Sequence, residues 1–328
     1  MFEVRVLMAT YNGEKYIKEQ LDSLRAQNYE KWTLYIRDDC STDNTINILK
    51  EYQNREPRIQ LLPSSPANIG ALGNFNRLMS AASGKYFMFC DQDDIWFPDK
   101  IKKTLDLMKN REKRFGKNFP ILIHTDCKVI DSTRRLVAPS FMQYQHMKHE
   151  EKCPLRILLT QNFVTGCTVM INKSLLSACL PVSSQALMHD WWIALVAAAI
   201  GKICYLPQKT MLYRQHGKNV AGAKKLLSAY NLKRLLSIED LEKDLNKLML
   251  QNRALMRHLD NRDTLKTPQL LYDFLSAANQ SGFRFLKFAI RYRIYKQGIM
   301  RNFVYLMLLL RRSCRKTLKT ACGFRMQV

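Results

Sequence analysis

Five carboxylates follow directly after two apolar runs of the chain, at residues 32–37 and 86–90. They are Asp38, Asp39, Asp91, Asp93 and Asp94. Carboxylates this close together repel one another unless a positive charge compensates. Mg²⁺ or Mn²⁺, which prefer hard oxygen ligands, provide that charge and are often shared between carboxylates and substrate phosphates. The Asp91-x-Asp93 spacing therefore predicts a metal–phosphate site.

An alternative for this acidic segment is a solvated turn before a helix that begins near Pro98, because Asp stabilises helix N-termini. This alternative is attractive for Asp94. For Asp91 and Asp93 the metal–phosphate interpretation is favoured, since acidic residues recur at the end of a second predicted strand.

The elements that must position these residues alternate along the first third of the chain. Apolar, β-branched runs predict strands at 4–9, 32–37, 59–62 and 86–90. Helical spacing and capping residues predict helices at 14–26, 43–52, 72–82 and 98–110. This alternation predicts an α/β fold with a mostly parallel, twisted sheet and helices on both faces. Ligands of such sheets bind beyond the carboxyl ends of the strands, which adds Thr10, Tyr11 and Asn12 to the candidates.

Four motifs in order give the chain a family resemblance. They are Ala9-Thr10-Tyr11-Asn12-Gly13, Asp38-Asp39-Cys40-Ser41-Thr42-Asp43, Asn68-Ile69-Gly70 and Asp91-Gln92-Asp93-Asp94-Ile95-Trp96. Residues 5–100 resemble the nucleotide-sugar-binding half of family 2 glycosyltransferases with the GT-A fold, and the resemblance continues to about residue 222. The last motif is similar to that of the rhamnosyltransferase-like branch, which builds bacterial surface polysaccharides. No G-x-G-x-x-G follows the first strand and no P-loop is present, which argues against those nucleotide folds.

The resemblance implies roles for the matching residues. The implied donor-binding positions are Thr10, Tyr11, Asn12, Asp38, Asp39, Asn68, Gly70 and Asp91. Asp39, alone or with Asp38, would accept a hydrogen bond from the N–H of a pyrimidine ring, and Asp91 would face the ribose. Asp93 would bind the metal that bridges the diphosphate and neutralises the leaving nucleoside diphosphate. The favoured donor is dTDP-rhamnose, followed by UDP-sugars.

A second group of candidates lies in the segment from Met188 to Trp192. An inverting transfer needs a base that deprotonates the acceptor hydroxyl, and a carboxylate is adequate. The family places an Asp here, so Asp190 is the predicted base, although an N-cap role for the following helix is an alternative. Trp191 and Trp192 would stack on sugar faces or belong to the core, and the core is favoured for Trp192. Gly166, in a strand predicted at 162–172, would allow close approach of the acceptor.

A further candidate group lies between Tyr213 and Asn219. The resemblance implies that His216 is a metal ligand and that Arg214 and Lys218 contact the diphosphate. An isolated His is more often structural, so this alternative stays open. The segment 217–222 is a candidate for a loop that closes over the donor and excludes water.

The net charge of the chain is +24, and half of it lies near the C-terminus. Residues 274–328 hold 12 Lys and Arg and no Asp or Glu. Basic residues interleaved with aromatics over 283–320 suit an anionic membrane surface, although a solvated basic face over packed apolar residues is an alternative. A predicted helix at 224–259 would pack on the catalytic domain or on a partner subunit, which makes an oligomer possible.

These patterns predict a GT-A domain at 1–222 and a basic helical extension at 223–328. Within the domain, 1–110 would bind the nucleotide-sugar and 111–222 the acceptor, a lipid-linked or oligosaccharide glycan. The nine cysteines form no C-x-x-C pair and no leader or spanning segment is evident, so the predicted location is cytoplasmic, at the inner membrane face.

Two other functions compete with this interpretation. A nucleic-acid-binding protein would explain the positive charge, but no known nucleic-acid-binding signature is present, so no nucleic acid is predicted as a partner. A non-catalytic homologue that only binds a nucleotide-sugar is the other alternative, and the intact Asp91, Asp93 and Asp190 argue against it.

Overall fold

The computed structural model describes residues 3–64, 67–217, 237–262, 265–280 and 282–323. The chain divides into two compact units. We call the first the sheet unit, formed by Met1–Gln145 and Val164–Ala223. We call the second the helical unit, formed by His146–Phe163 and Lys224–Val328.

The first half of the sheet is parallel, as the sequence predicts. Its strands are β1 (Val4–Thr10), β2 (Trp32–Asp38), β3 (Ile59–Leu61) and β4 (Tyr86–Cys90). β1 pairs with β2 on one side and with β4 on the other, and β3 extends the sheet beyond β2. In this register Thr10 lies opposite Asp38, so the ends of two strands bring their polar residues together.

An amphipathic helix follows each of these strands along the chain. These helices are α1 (Ile17–Arg25), α2 (Thr45–Arg55), α3 (Gly70–Ala81) and α4 (Lys100–Phe115). Each helix buries one apolar face; in α1 that face includes Ile17, Leu21 and Leu24. Gly116 ends α4 with φ +99°, a conformation that glycine adopts without strain. All four helices lie where the sequence predicts a helix, with ends shifted by a few residues.

The second half of the sheet mixes parallel and antiparallel pairs. Its strands are β5 (Ile95–Trp96), β6 (Ile121–Ile130), β7 (Leu136–Ala138), β8 (Val169–Asn172) and β9 (Lys202–Arg214). β8 joins the two halves because it lies antiparallel to both β4 and β6. β9 runs parallel to β6, and the short β5 pairs with the end of β9. The strand order among the described residues is β3-β2-β1-β4-β8-β6-β9-β5, with β7 beside β6.

The strand predicted at 162–172 is wrong in its first part. Only Val169–Asn172 forms a strand, and a 3₁₀ turn occupies Gly166–Thr168. The physical reason lies in two hydrogen bonds: the Thr168 amide turns back to the Thr165 carbonyl, and the Gly166 amide donates to the Asp190 carboxylate. The remaining helices of the sheet unit are α5 (Phe141–Tyr144), α7 (Lys173–Cys179) and α8 (His189–Ile200).

The helical unit contains α6 (Pro154–Leu158), α9 (Ile238–Asp260), α10 (Gln269–Asn279), α11 (Gly282–Arg291) and α12 (Ile299–Gly323). The predicted helix at 224–259 is found from residue 238, and residues 224–236 lie outside the described part. Among the described residues, no helix is long and apolar enough to span a membrane.

One segment of the helical unit was not expected. Residues 146–163, predicted to belong to the first domain, pack with the C-terminal helices. The Asn252 side-chain amide donates to the Leu159 carbonyl at 2.9 Å, and the Gln297 amide donates to the Gln161 side chain at 2.8 Å. These hydrogen bonds tie the segment to the helical unit, because they satisfy a backbone carbonyl and a side-chain amide oxygen of the segment there.

Candidate active site

The turn after β2 is held by the buried carboxylate of Asp38. Its Oδ1 accepts hydrogen bonds from the Thr10 hydroxyl (2.7 Å) and the Ser41 hydroxyl (2.6 Å), and its Oδ2 accepts from the Ser41 amide (2.7 Å). Asp38 and Thr10 are only 4% and 1% exposed. The geometry therefore favours a role for this pair in shaping the loop rather than direct contact with a nucleotide.

Asp39 binds backbone amides at the start of α3. Its carboxylate accepts from the Ile69 amide at 3.1 Å and from the Gly70 amide at 2.8 Å, and the Arg37 guanidinium lies 3.6 Å away. Asn68 completes the link, because its side-chain amide donates to the Asp39 carbonyl. Negative charge stabilises a helix N-terminus, so Asp39 also fixes the position of the Asn68-Ile69-Gly70 motif.

The loop after β1 is fixed by Gln92. The Tyr11 amide donates to the Gln92 Oε1 and the Gln92 Nε2 donates to the Tyr11 carbonyl, both at 2.9 Å. Asn12 adds a second connection, accepting hydrogen bonds at its Oδ1 from the Thr42 amide and hydroxyl. The Tyr11 side chain is 47% exposed, which leaves its ring available to a planar ligand.

Asp91 and Asp93 lie at the carboxyl end of β4 together with Asp190 from the start of α8. The pKa of Asp91 is raised to about 7, mainly by desolvation and to a smaller extent by repulsion from Asp93 and Asp190. Asp93 Oδ2 lies 2.7 Å from His216 Nε2, and the His216 ring packs beside Tyr16. The structure thus brings the predicted ligands Asp93 and His216 together, although 123 residues separate them.

Asp94 differs from its neighbours because it is fully buried. Its Oδ1 accepts a hydrogen bond from the Arg214 amide at 3.0 Å, and desolvation raises its pKa well above the ordinary value. The alternative of a solvated turn, which the sequence suggested for Asp94, is therefore wrong. Ligand atoms of Asp91, Asp94 and Cys167 lie within 4.8 Å of one another, but burial also raises the pKa of the Cys167 thiol, and a protonated thiol is a poor metal ligand.

Arg214 is buried next to residues 91–94, the segment after β4 that we call the acidic loop. Its Nε donates to the Asp93 carbonyl at 2.8 Å, its Nη2 donates to Glu19 Oε2 at 2.6 Å, and its guanidinium lies over the Tyr16 ring. The side chain is 1% exposed. The prediction that Arg214 contacts the diphosphate therefore does not fit this geometry, which gives Arg214 the role of positioning the Asp93 backbone.

Asp190 lies in the first turn of α8. Its Oδ2 accepts a hydrogen bond from the Gly166 amide at 3.0 Å. The N-cap position belongs to Met188, so the N-cap alternative for Asp190 is wrong. The backbone of Gly166 passes close to this contact, because an added Cβ would lie 3.3 Å from the Asp190 Cβ and 3.1 Å from His189 Nε2.

The two tryptophans after Asp190 differ in environment. Trp192 is 0% exposed and donates from Nε1 to the Cys179 carbonyl at 3.0 Å, so it belongs to the core and does not contact an acceptor. Trp191 is partly exposed and stays a candidate acceptor residue. His189 is buried against Phe75, with ring centroids 3.8 Å apart, and burial lowers its pKa to about 3, so the ring is neutral.

Comparison with known proteins identifies the family. Residues 5–179, more than half of the chain, match the family described as Glycosyl transferase family 2. The chain belongs to this family. A relative named dTDP-rhamnosyl transferase RfbG, from Shigella flexneri, is 35% identical over 230 residues, covering 66% of this chain and 74% of the relative.

One further relative is similar in sequence, and one solved structure is similar in fold. The putative teichuronic acid biosynthesis glycosyltransferase TuaG of Bacillus subtilis is 32% identical over 171 residues, or 52% of this chain and 62% of that protein. The crystal structure of S. aureus TarS 1-349 in complex with UDP-GlcNAc aligns with a TM-score of 0.57 and 22% identity, over 88% of this chain and 73% of that one. The last likeness shows the shared GT-A fold.

Asp93 and His216 of this family 2 glycosyltransferase fit a divalent cation. Their donor atoms, the carboxylate Oδ2 and the imidazole Nε2, lie 2.7 Å apart, and the Asp91 carboxyl group is close to Asp93. The carboxylate suits Mg²⁺ or Mn²⁺, and the imidazole nitrogen favours Mn²⁺ over Mg²⁺, which prefers oxygen ligands. The repulsion that raises the pKa of Asp91 is the kind that a bound cation relieves.

Three contributors to the site of this glycosyltransferase were missed by the sequence analysis. Gln92 and Ser41 lie inside recognised motifs, but their hydrogen bonds join separate loops. Glu19 lies on α1 between two arginines: its Oε1 is 2.6 Å from Arg134 and its Oε2 is 2.6 Å from Arg214. No local spacing signals this arrangement. The predicted diphosphate residue Lys218, and most of the predicted loop at 217–222, lie outside the described residues.

Proposed function

We propose that this family 2 glycosyltransferase is an inverting, metal-dependent enzyme that uses a nucleoside-diphosphate sugar, with Asp190 as the base. One observation carries the proposal: Asp190, Asp91 and the Asp93–His216 pair lie close together at one end of the sheet. Three carboxylates in such close proximity are costly to keep ionised, and an active site is the usual place for this arrangement.

The proposed reaction forms a bond between the acceptor oxygen and the anomeric carbon and breaks the bond from that carbon to the diphosphate oxygen. Asp190 accepts the hydroxyl proton, while the Gly166 amide holds its Oδ2 in place. A cation held by Asp93 and His216 would supply charge neutralisation at the departing diphosphate. Tyr11 would stack on the base of the donor, and Asp91 would face the ribose.

The donor and the acceptor are further parts of the proposal. We favour dTDP-rhamnose, because a relative of 35% identity is named a dTDP-rhamnosyl transferase, and UDP-sugars come next. The acceptor is a lipid-linked or oligosaccharide chain of a surface polysaccharide, in line with the motif resemblance. An enzyme with this acceptor works at the cytoplasmic face of the membrane, which the basic C-terminal region would contact.

A donor panel tests the proposal. The purified chain is given each of several nucleoside-diphosphate sugars with an acceptor, and release of nucleoside diphosphate is measured with and without EDTA. We expect one donor to support release, and EDTA to abolish it. Release that persists in excess EDTA would refute metal dependence, and transfer with retained anomeric configuration would refute inversion.

Two isosteric variants separate the proposed roles. Asp190→Asn keeps the shape of the side chain but not its basicity, so kcat should fall by about 10²–10⁴-fold while donor affinity is maintained. Asp93→Asn should instead weaken metal-dependent donor binding. Asp106→Asn, an exposed carboxylate on α4, serves as the control and should leave both quantities unchanged. Full activity of Asp190→Asn would exclude Asp190 as the base.

A further inference from the structure

The outer face of α11 combines apolar and basic side chains. Phe285 and Ala289 are fully buried and hold the helix in the helical unit. Phe283 is 63% exposed and Ile290, seven residues later on the same helical face, is 52% exposed. Lys287 lies between them on that face and is also exposed. One face of α11 is therefore buried in the helical unit, while the other face exposes large apolar side chains.

The helix α12 repeats this pattern. Tyr305 and Leu309, one turn apart, are buried. Ile299, Phe303 and Met307 follow one another at intervals of four residues and are 89%, 59% and 51% exposed. Side chains at this spacing form a continuous stripe along a helix. α11 and α12 pack against each other, so both exposed faces belong to one helix pair.

The charge around these faces favours one kind of partner. Arg284 and Arg291 join Lys287 on the exposed side of α11, and residues 274–328 contain no acid. A second copy docked in a symmetric dimer would bring the same basic surface against itself, which is repulsive. An anionic lipid bilayer offers negative charge to the bases and an apolar interior to the aromatic and aliphatic side chains.

We propose that the outer faces of α11 and α12 form a membrane-docking surface. This surface consists of Phe283, Lys287, Ile290, Ile299, Phe303 and Met307, flanked by Arg284 and Arg291. The helices lie in the plane of the bilayer, with the apolar side chains below the headgroups and the basic side chains among the phosphates. This inference deepens the proposed function, since a lipid-linked acceptor is presented at that plane.

Vesicle sedimentation with the full chain tests the proposal. Vesicles of phosphatidylglycerol with phosphatidylethanolamine should bind the protein, and binding should weaken at high salt because screening shortens the reach of the charges. Vesicles of phosphatidylcholine alone should bind far less. Neutralising Arg284, Lys287 and Arg291 to Gln should lower partitioning about fivefold per charge, or about a hundredfold together. Phe283→Ser with Phe303→Ser should lower it at every salt concentration.

Matched variants of the sheet unit are the controls. Lys113, Arg114 and Lys117 changed to Gln remove the same charge from an exposed segment, and Leu136→Ser changes a side chain that is 60% exposed. Neither should alter sedimentation. Equal losses in control and test variants would overturn the proposal, as would an absence of binding to anionic vesicles. A change from dimer to monomer in the Phe283→Ser/Phe303→Ser variant, measured by light scattering, would instead identify a second copy as the occupant.

The same variants separate this inference from the proposed function. Transfer to a soluble acceptor is measured without vesicles, and thermal unfolding checks that each variant is folded. We expect the docking variants to keep soluble transfer and lose vesicle binding. Loss of vesicle binding in the controls, with transfer intact, counts against the surface alone, whereas a wild-type chain that binds vesicles and transfers no sugar counts against the proposed function alone.

Discussion

At the scale of single residues, the shape of the loop after β1 depends on the side-chain amide of Gln92 and on the absence of a side chain at Gly13. Gln92 makes two hydrogen bonds to the backbone of Tyr11, and it can do so only because Gly13 carries no Cβ. A Cβ on Gly13 would lie 2.3 Å from Gln92 Oε1, which is far inside van der Waals contact. Gln92 and Gly13 are therefore both needed for this contact between the two loops.

This coupling leads to a double-mutant prediction. Gly13→Ala should displace Gln92 and cost its two hydrogen bonds, each worth about 0.5–1.5 kcal/mol, so that nucleotide affinity falls about tenfold. Gln92→Ala should have a similar effect, and the double variant should be no worse than either single one. Calorimetric titration with the nucleoside diphosphate measures all three. Gly84→Ala, where a Cβ would meet only the flexible Arg5, is the control; additive losses would contradict the coupling.

The two adjacent tryptophans allow a second prediction. Trp192→Ala removes a completely buried ring and should cost about 3–5 kcal/mol of unfolding free energy, visible as a lower Tm. Trp191→Ala removes a partly exposed ring, so it should leave Tm nearly unchanged and raise the KM for the acceptor by roughly tenfold. An unchanged KM together with a large loss of Tm for Trp191→Ala would assign both rings to the core.

The sequence predicted where the candidate residues lie in the fold, but not which groups surround them. The strand-end location of Asp38, Asp39 and Asp93 follows from the alternation of elements. The partners of these carboxylates do not, because Asp38 is bound by Thr10 from another loop and Asp39 by the amides at the start of α3. The residue type alone does not show whether a carboxylate is hydrogen-bonded within the protein or available to a ligand.

At the scale of elements, β9 and α1 hold the acidic loop from below. Arg214, the last residue of β9, binds the Asp93 carbonyl and Glu19 of α1 through one planar guanidinium. Contacts with Arg134 and Arg214 outweigh the opposing effect of burial and lower the pKa of Glu19. The carboxylate therefore stays ionised in mildly acidic solution, and this support for the loop persists there.

A contrast between the two arginines tests this support. Arg214→Lys cannot make the same forked contacts and leaves buried groups unpaired, so Tm should fall and the metal concentration for half-maximal nucleotide binding should rise about tenfold. Arg134→Gln removes the exposed partner of the same carboxylate and should cost at most about 1 kcal/mol. If Arg214→Lys lowers Tm without changing the metal requirement, the arginine only stabilises the fold.

Elements were predictable where burial repeats with a clear period. The helix Ile17–Arg25 follows the helical spacing of its apolar residues. The strand Tyr86–Cys90 is buried at every position and was predictable instead as a short continuous apolar run. Residues 162–168 failed this rule: the partial alternation of the segment suggested a strand, but the Gly166 amide is bound to Asp190 and the chain turns. A tertiary hydrogen bond overrode a local preference.

At the scale of the whole molecule, the boundary between the units is not a single point in the sequence. Residues 146–163 interrupt the sheet unit and hydrogen-bond to α9 and to residues beyond α11: the Thr160 hydroxyl donates to the Tyr295 carbonyl, and the Lys148 amide donates to Gln297. A composition shift marks the start of the basic region, but an inserted segment with ordinary composition gives no such signal. The sequence could therefore predict the extension and not its inserted partner.

This interleaving predicts the result of truncation after Ala223. The remaining chain keeps residues 146–163 but loses the helices that bind them, so Leu158 and Leu159, both 0% exposed, would meet water. We expect a lower soluble fraction and aggregation by light scattering, since exposed apolar patches favour association. Leu158→Gln with Leu159→Gln in the truncated chain should restore solubility, as should co-expression of residues 224–328. A truncated chain as soluble and monomeric as the full one would show that 146–163 does not depend on the helical unit.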